Sequence, residues 1–279
     1  MNVELDDSSS LDTTRKGFLK GVEIYFQGLL LWNIWFYMAT SEIRRRYRRT
    51  LLGPFWVTLS VSIFIGAMGV IFPILWHTDV KMYLPFFASG FIVWSFVAAC
   101  ITESSGTFLD VAGILKQVSL PYSVYSNTVV LRNFLILLHH FFVYVVIVGI
   151  FKVPININTI LIVPAMMILC FTASWISILI GLLVTRFRDI KQIVTSFLQI
   201  SLFVTPIFWM PSQMNLSWKT RLIVDINPLF HFVSIVRAPL LGQPPSSLSW
   251  MVAIGVSIIG WIITMKVLSR YYRHLVFWL

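Results

Sequence analysis

Residues 41–76 read SEIRRRYRRTLLGPFWVTLSVSIFIGAMGVIFPILW, and this stretch decides the fold. Its second part, Phe55 to Trp76, carries no charge and exceeds the ~20 apolar residues that cross a hydrocarbon core. Lipid offers no partners to backbone N–H and C=O groups, so the segment must be helical. Pro73 does not argue against this, because kinked spans are tolerated among neighbours. The first part sets five arginines in six positions, Arg44 to Arg49, before Leu52-Gly53-Pro54 breaks the run. Glu42 stands at the right spacing to pair with Arg45 and Arg46 on one helix. An apolar block behind such a cluster is a membrane crossing anchored on its basic side.

Five further blocks repeat the pattern: Leu84–Ile101, Asn133–Ile150, Thr159–Thr185, Ile193–Trp209 and Ser249–Leu268. The chain is 58% hydrophobic and 11% charged, with a mean hydropathy of +0.84. A soluble domain keeps roughly a quarter of its residues charged, so the reading is an all-α membrane protein with six transmembrane helices. With six crossings both termini share one face. Of the 21 Lys and Arg, that face receives all but Lys81, Lys152, Lys219, Arg221 and Arg237. Excess Lys and Arg mark the cytoplasmic face, so both termini are expected inside. The net charge of +10 then reflects an anionic leaflet, not nucleic acid. Cys100 and Cys170 fall inside spans and read as packing residues.

Residues 1–16 are expected as a polar tail without a cleavable leader. Residues 17–50 are expected as an amphipathic interfacial helix with the basic cluster, and 51–279 as the six-span domain. Residues 24–40 are apolar enough to be a seventh span, but Gln27 and Asn33 together with Trp32, Trp35, Phe36 and Tyr37 suit a helix lying in the interface. Residues 106–118 form a cytoplasmic amphipathic helix in this reading, with Phe108, Val111, Leu115 and Val118 on one stripe and Asp110 and Lys116 on other faces. A helix of this kind either rests on the membrane or docks into a soluble partner. In the outer region 211–248, Asn227-Pro228 starts a helix too short to span, so an outer re-entrant or interfacial helix is expected.

The motifs exclude several chemistries. No G-x-x-x-x-G-K-[ST] loop, zinc-spaced Cys/His cluster or G-x-S-x-G elbow occurs. Acidic residues are essentially missing from the spans, which weakens ion-coupled transport. His139 and His140 sit mid-span and most simply make hydrogen bonds between helices. Glu103 and Arg132 read as boundary markers, with pairing open to them. Phe91, Trp94, Phe208 and Trp209 lie near outer span ends, where aromatic faces suit sugar rings as well as interfacial belts. An integral-membrane enzyme would have only the scattered Glu103, Asp110 and His231.

Five stretches carry a family resemblance: RYRRTLLGPFW (46–56), GILKQVSLP (113–121), RFRDIKQ (186–192), NPLFHFVSIVRAPLLG (227–242) and RHLVFWL (273–279). Together they resemble permease subunits of the ABC exporters of O-antigen, capsular polysaccharide and teichoic acid, over about residues 20–279. The resemblance implies a multi-pass homodimer in the bacterial cytoplasmic membrane that docks two ATP-binding subunits. ATP and magnesium would sit on those partners, with no cofactor and no catalytic residue on this chain. The cargo would be an undecaprenyl-linked glycan, with export of a drug or lipid as the alternative. The resemblance makes 106–118 a coupling helix, with Phe108, Asp110, Val111, Leu115 and Lys116 at the ATPase and Arg188 and Asp189 in a second contact. It makes 17–49 a gate helix, with Trp32, Trp35, Arg44, Arg45, Arg46, Arg48 and Arg49 at the substrate mouth. It also makes 227–242 the outer re-entrant helix.

Overall fold

The computed structural model describes residues 7–48, 53, 55–211 and 217–279, with side chains from Phe18 onward except at residue 220. Among them every regular element is helical. Five helices are long and apolar enough to cross a membrane: α3 (Phe55–Trp76), α4 (Val80–Ser104), α6 (Tyr122–Phe151), α7 (Ile162–Arg186, continuing a 3-10 turn over Ile157–Leu161) and α11 (Ser247–Tyr271). Several run past the apolar blocks that foretold them. Asp79 caps α4 by accepting from the Lys81 N–H at 2.9 Å, and Lys152 ends α6 in the left-handed region at φ 53°.

The block expected over Ile193–Trp209 is a shorter helix, α8 (Ile190–Val204, 15 residues). Pro206 is the cause, since a residue before proline is pushed out of the helical region and Thr205 adopts ψ 131°. At ~1.5 Å per residue α8 measures about 22 Å. α9 (Trp218–Ile226) and α10 (Pro228–Leu240) follow. α10 begins as its sequence foretold, with the Asn227 side chain accepting from the Leu229 N–H at 3.0 Å and proline in the first turn.

The N-terminal region forms α1 (Asp7–Leu30) and α2 (Trp32–Tyr47) on either side of a break at Leu31. α1 thus begins within the stretch read as a polar tail. It packs on α6 and α11: the Ser123 hydroxyl donates to the Tyr25 carbonyl at 2.9 Å, and Tyr25 meets Trp261 edge-on with centroids 4.6 Å apart. The expected coupling helix is reduced to one turn, α5 (Ala112–Leu115), with irregular turns on both sides. The chain closes on α12 (Leu275–Trp278).

The core divides in two. The larger part centres on α4, where Tyr83, Phe87, Ile92, Trp94 and Phe96 pack against α6, α7 and α10. The smaller part gathers Phe108 and Leu115 with Tyr125, Ile178, Met265 and Leu275, and so ties the 105–118 loop to the ends of α6, α7 and α11.

Candidate functional site at the basic end of the bundle

The end of α4, the start of α6 and the end of α2 meet in a network of charges. The Arg132 guanidinium donates to Glu103 at 2.6 Å and also to Glu42. Arg46 donates to the other Glu103 oxygen at 3.0 Å, and the Asn133 amide adds a bond at 2.7 Å. Glu103 therefore joins three helices, and Glu42 reaches across to α6 while Arg46 goes to α4. These cross-helix pairs supersede the expected local Glu42–Arg46 pair, because helix ends offer a partly desolvated partner while a neighbour on the same exposed face does not. Burial works against the Arg46 charge, yet the hydrogen bond and charge of Glu103 hold its pKa above the ordinary arginine value.

A polar cavity of about 40 Å³ lies beside this network, between α2, α6 and the 105–118 loop. The carboxylates of Glu42, Glu103 and Asp110 and the Arg132 guanidinium line it.

The loop is seated by its apolar residues. Phe108 is fully buried, and a Cβ at residue 181 would lie 2.8 Å from its ring, so glycine on α7 makes its seat. Thr107 and Ser177 hydroxyls bond at 3.2 Å, and Leu115 is buried in the same core. Phe108 and Leu115 therefore face the bundle and hold the loop in place. The amphipathic stripe was legible in the sequence, but the side it packs on was not. The outward face carries Asp110, Gly113, Ile114, Lys116, Gln117 and Val118, all exposed, while Val111 is half-buried. Ile114 is an exposed apolar residue the stripe left unmarked, and Val118, though on the stripe, is exposed as well. A groove of about 310 Å³ continues from this face between Leu115–Tyr122 and Val276.

Arg188 and Asp189 are exposed in the turn between α7 and α8. Next to them the Arg186 guanidinium stacks over the Trp278 ring at 5.1 Å, which fixes α12 against α7. Arg44, Arg45, Arg46 and Arg48 are exposed on the last turns of α2; Arg49 lies outside the described residues. Trp32 is exposed, whereas Trp35 is half-buried and donates to the Leu29 carbonyl at 3.2 Å.

The four aromatics expected near the outer span ends separate. Phe91 and Phe208 join one continuous set of rings through Phe87, with centroids 5.5 and 5.4 Å from it, and Phe72 extends the set to Phe208. Trp94 is buried in the core, and half-buried Trp209 donates to the Phe203 carbonyl at 3.1 Å. His139 contacts the Leu135 carbonyl at 2.7 Å. His231 lies 2.8 Å from the Asp225 carbonyl through Nε2 and 3.0 Å from the Ser249 hydroxyl through Nδ1. A neutral ring satisfies both, donating to the first and accepting from the second. Glu103, Asp110 and His231 do not converge, for the two carboxylates are at the basic end and the histidine packs with α10 at the other. No metal-binding group of His, Cys, Asp or Glu occurs among the described residues.

These features define a multi-pass helical membrane protein with its charged network and exposed loops at one end. The sequence profile of the ABC-2 type transporter family matches residues 33–241, from α2 through α10, and the chain belongs to that family. It is similar to the O-antigen export system permease protein RfbA of Klebsiella pneumoniae, at 24% identity over 196 residues, 69% of this chain and 74% of that protein. It is equally similar to the RfbA permease of Myxococcus xanthus, at 24% over 220 residues, 77% of this chain and 82% of that one.

Proposed function

We propose that this chain is the membrane subunit of an ATP-driven exporter that moves a lipid-linked polysaccharide of the O-antigen kind across the bacterial cytoplasmic membrane. Membership of the ABC-2 type transporter family, with O-antigen permeases among its relatives, is the observation that carries the reading. Two copies would form the channel, each docking one ATP-binding subunit that supplies ATP and magnesium.

The outward face of the 105–118 loop, with Ile114, Lys116 and Val118, is the primary ATPase contact, and Arg188 and Asp189 form the second. Glu103 links that loop to α2, so a push on the loop moves the gate helix through Arg46 and Arg132. The exposed Arg44, Arg45 and Arg48 meet the pyrophosphate of the lipid carrier, since arginine forks match phosphate oxygens. The topology is six crossings with both termini inside. α8 alone is shorter than the ~30 Å hydrocarbon core, but it starts beside Arg188, and Thr205–Phe208 continue the path to Tyr83 near the start of α4.

Deleting the gene tests the reading. Loss of surface glycan with accumulation of its undecaprenyl-linked precursor is expected. Unchanged surface glycan would overturn it.

A further inference from the structure

The end of the bundle opposite the arginine cluster holds one cation whose surroundings nothing above explains. Arg237, on α10, is 6% exposed, and its Nε and Nη2 are buried without a hydrogen-bond partner. The guanidinium lies over the Phe86 ring at 4.1 Å from the centroid. Gly90, one helical turn on, makes the space: a Cβ there would lie 2.6 Å from the guanidinium carbon. Phe86 and Gly90 stand seven and eleven residues beyond the Asp79 cap, about 10–16 Å along α4, so the charge sits well inside the bundle.

A buried cation is ordinarily paired, because an isolated charge in a low-dielectric interior is strongly disfavoured. This chain does not supply the pair. Among the described residues no carboxylate lies within ion-pair distance of Arg237, and the two acids at this end, Asp79 and Asp225, are exposed. The aromatic face compensates only in part. The histidine on the same helix, His231, is already satisfied by Ser249 and Asp225.

The geometry points to Arg237 as an anion-binding station in the outer half of the bundle, taking a phosphate or pyrophosphate group from the passing substrate. This rests on the export reading above. The flat guanidinium keeps two adjacent N–H groups, at Nε and Nη2, without partners, a pair that suits two oxygens of one tetrahedral anion, while Phe86 covers one face and Gly90 lies against the same edge. The arginines on α2 and Arg237 then form two stations for the same charged group, one at each end of the path.

The test compares the full chain with Arg237→Gln and Arg237→Lys in detergent, following thermal unfolding against inorganic pyrophosphate and, separately, sodium glucuronate. The α2 arginines are common to all three proteins, so the difference between them isolates Arg237. Pyrophosphate is expected to raise the midpoint of the wild type at least twice as far as that of Arg237→Gln, with Arg237→Lys between them. Equal shifts overturn the inference. A difference seen with glucuronate alone also overturns the phosphate assignment, in favour of an acidic sugar.

Phe86→Glu provides a carboxylate from within the chain. It is expected to raise the midpoint, abolish the Arg237-dependent pyrophosphate shift and lower export at least tenfold. Should Arg237→Gln fail to fold, this variant decides, and full export with an intact shift overturns the site. If Asp225→Asn enlarges the Arg237-dependent shift, the counter-charge is a carboxylate of a second copy and the inference fails. Deletion of the whole gene with normal surface glycan refutes the export reading instead, independently of these shifts.

Discussion

The two ends of the bundle solve the problem of charge in opposite ways. At the basic end, Glu42 and Glu103 answer Arg46 and Arg132 across three helices, and further arginines stand free in solvent. At the other end, neutral groups hold α10 and the 205–210 segment: the Tyr144 hydroxyl donates to the Leu240 carbonyl at 2.8 Å, the Tyr83 hydroxyl to the Phe208 carbonyl at 2.7 Å, and the Asn227 amide to the Thr205 hydroxyl at 2.9 Å. Arg237 is a buried charge there, among acids and lysines that stand exposed. Ion pairs at a membrane boundary are only partly desolvated, so they can make and break as helices shift. Neutral hydrogen bonds and stacked rings deeper in the bundle resist such shifts. The basic end is therefore the more easily rearranged of the two, and the opposite end the more rigid.

Substitutions sharpen that contrast, and the largest effect belongs to the seat of the loop. Phe108→Ala empties a fully buried aromatic site against Gly181 and is expected to cost about 3–5 kcal/mol, read as a lowered unfolding midpoint. A small change in midpoint would mean that the loop is not anchored by its apolar stripe. Glu103→Gln comes next. It leaves Arg132, whose side chain is 13% exposed, with Glu42 as its remaining carboxylate, and the expected loss is about 2 kcal/mol, below the range for a fully buried pair. ATPase stimulation in the complex should fall together with stability, and Glu42→Gln combined with it should show non-additive coupling. Additive effects would break the claim that the network acts as one unit.

Tyr83→Phe probes the outer end more gently. It removes the hydroxyl that holds the Phe208 carbonyl but keeps the ring in its stack on Phe87, so about 1 kcal/mol of stability is expected to go. A change above ~3 kcal/mol would show that the 205–210 segment has much more resting on this bond than a single neutral contact.

Hydropathy made the long helices plain, because an apolar run of span length has one stable form in lipid. The Asn227-Pro228 cap was equally local and equally legible. Three features were not, and two of them depended on tertiary partners. The end of α8 was hidden because Pro206 interrupts an apolar run that composition alone continues to Trp209. The partners of Glu42 and Arg46 lie 90 and 57 residues away, beyond any helical spacing rule. The stripe through Phe108 and Leu115 gave the right periodicity, yet periodicity cannot say whether a face packs on its own bundle or on a partner. A signal for Arg237 did exist: it is one of five basic residues on the acid-poor face and sits in the apolar stretch SIVRAPLL, where an unpaired charge needs a reason.

The smallest effect on the fold is expected at Ile114, and it separates the two faces of the loop. Ile114 is 48% exposed while Leu115 beside it is 6% exposed, so adjacent positions test opposite roles. Leu115→Asp would place a charge in the core and lower the unfolding midpoint steeply, which makes loss of partner binding in that variant uninformative. Ile114→Asp leaves the core alone and should change stability by no more than ~0.5 kcal/mol, as surface substitutions do. It is nevertheless expected to cut co-purification of the ATP-binding subunit severalfold, since an apolar contact at a docking face becomes a desolvated charge. Normal co-purification with Ile114→Asp and Val118→Asp together would move the docking contact away from this loop, to the Arg188–Asp189 turn.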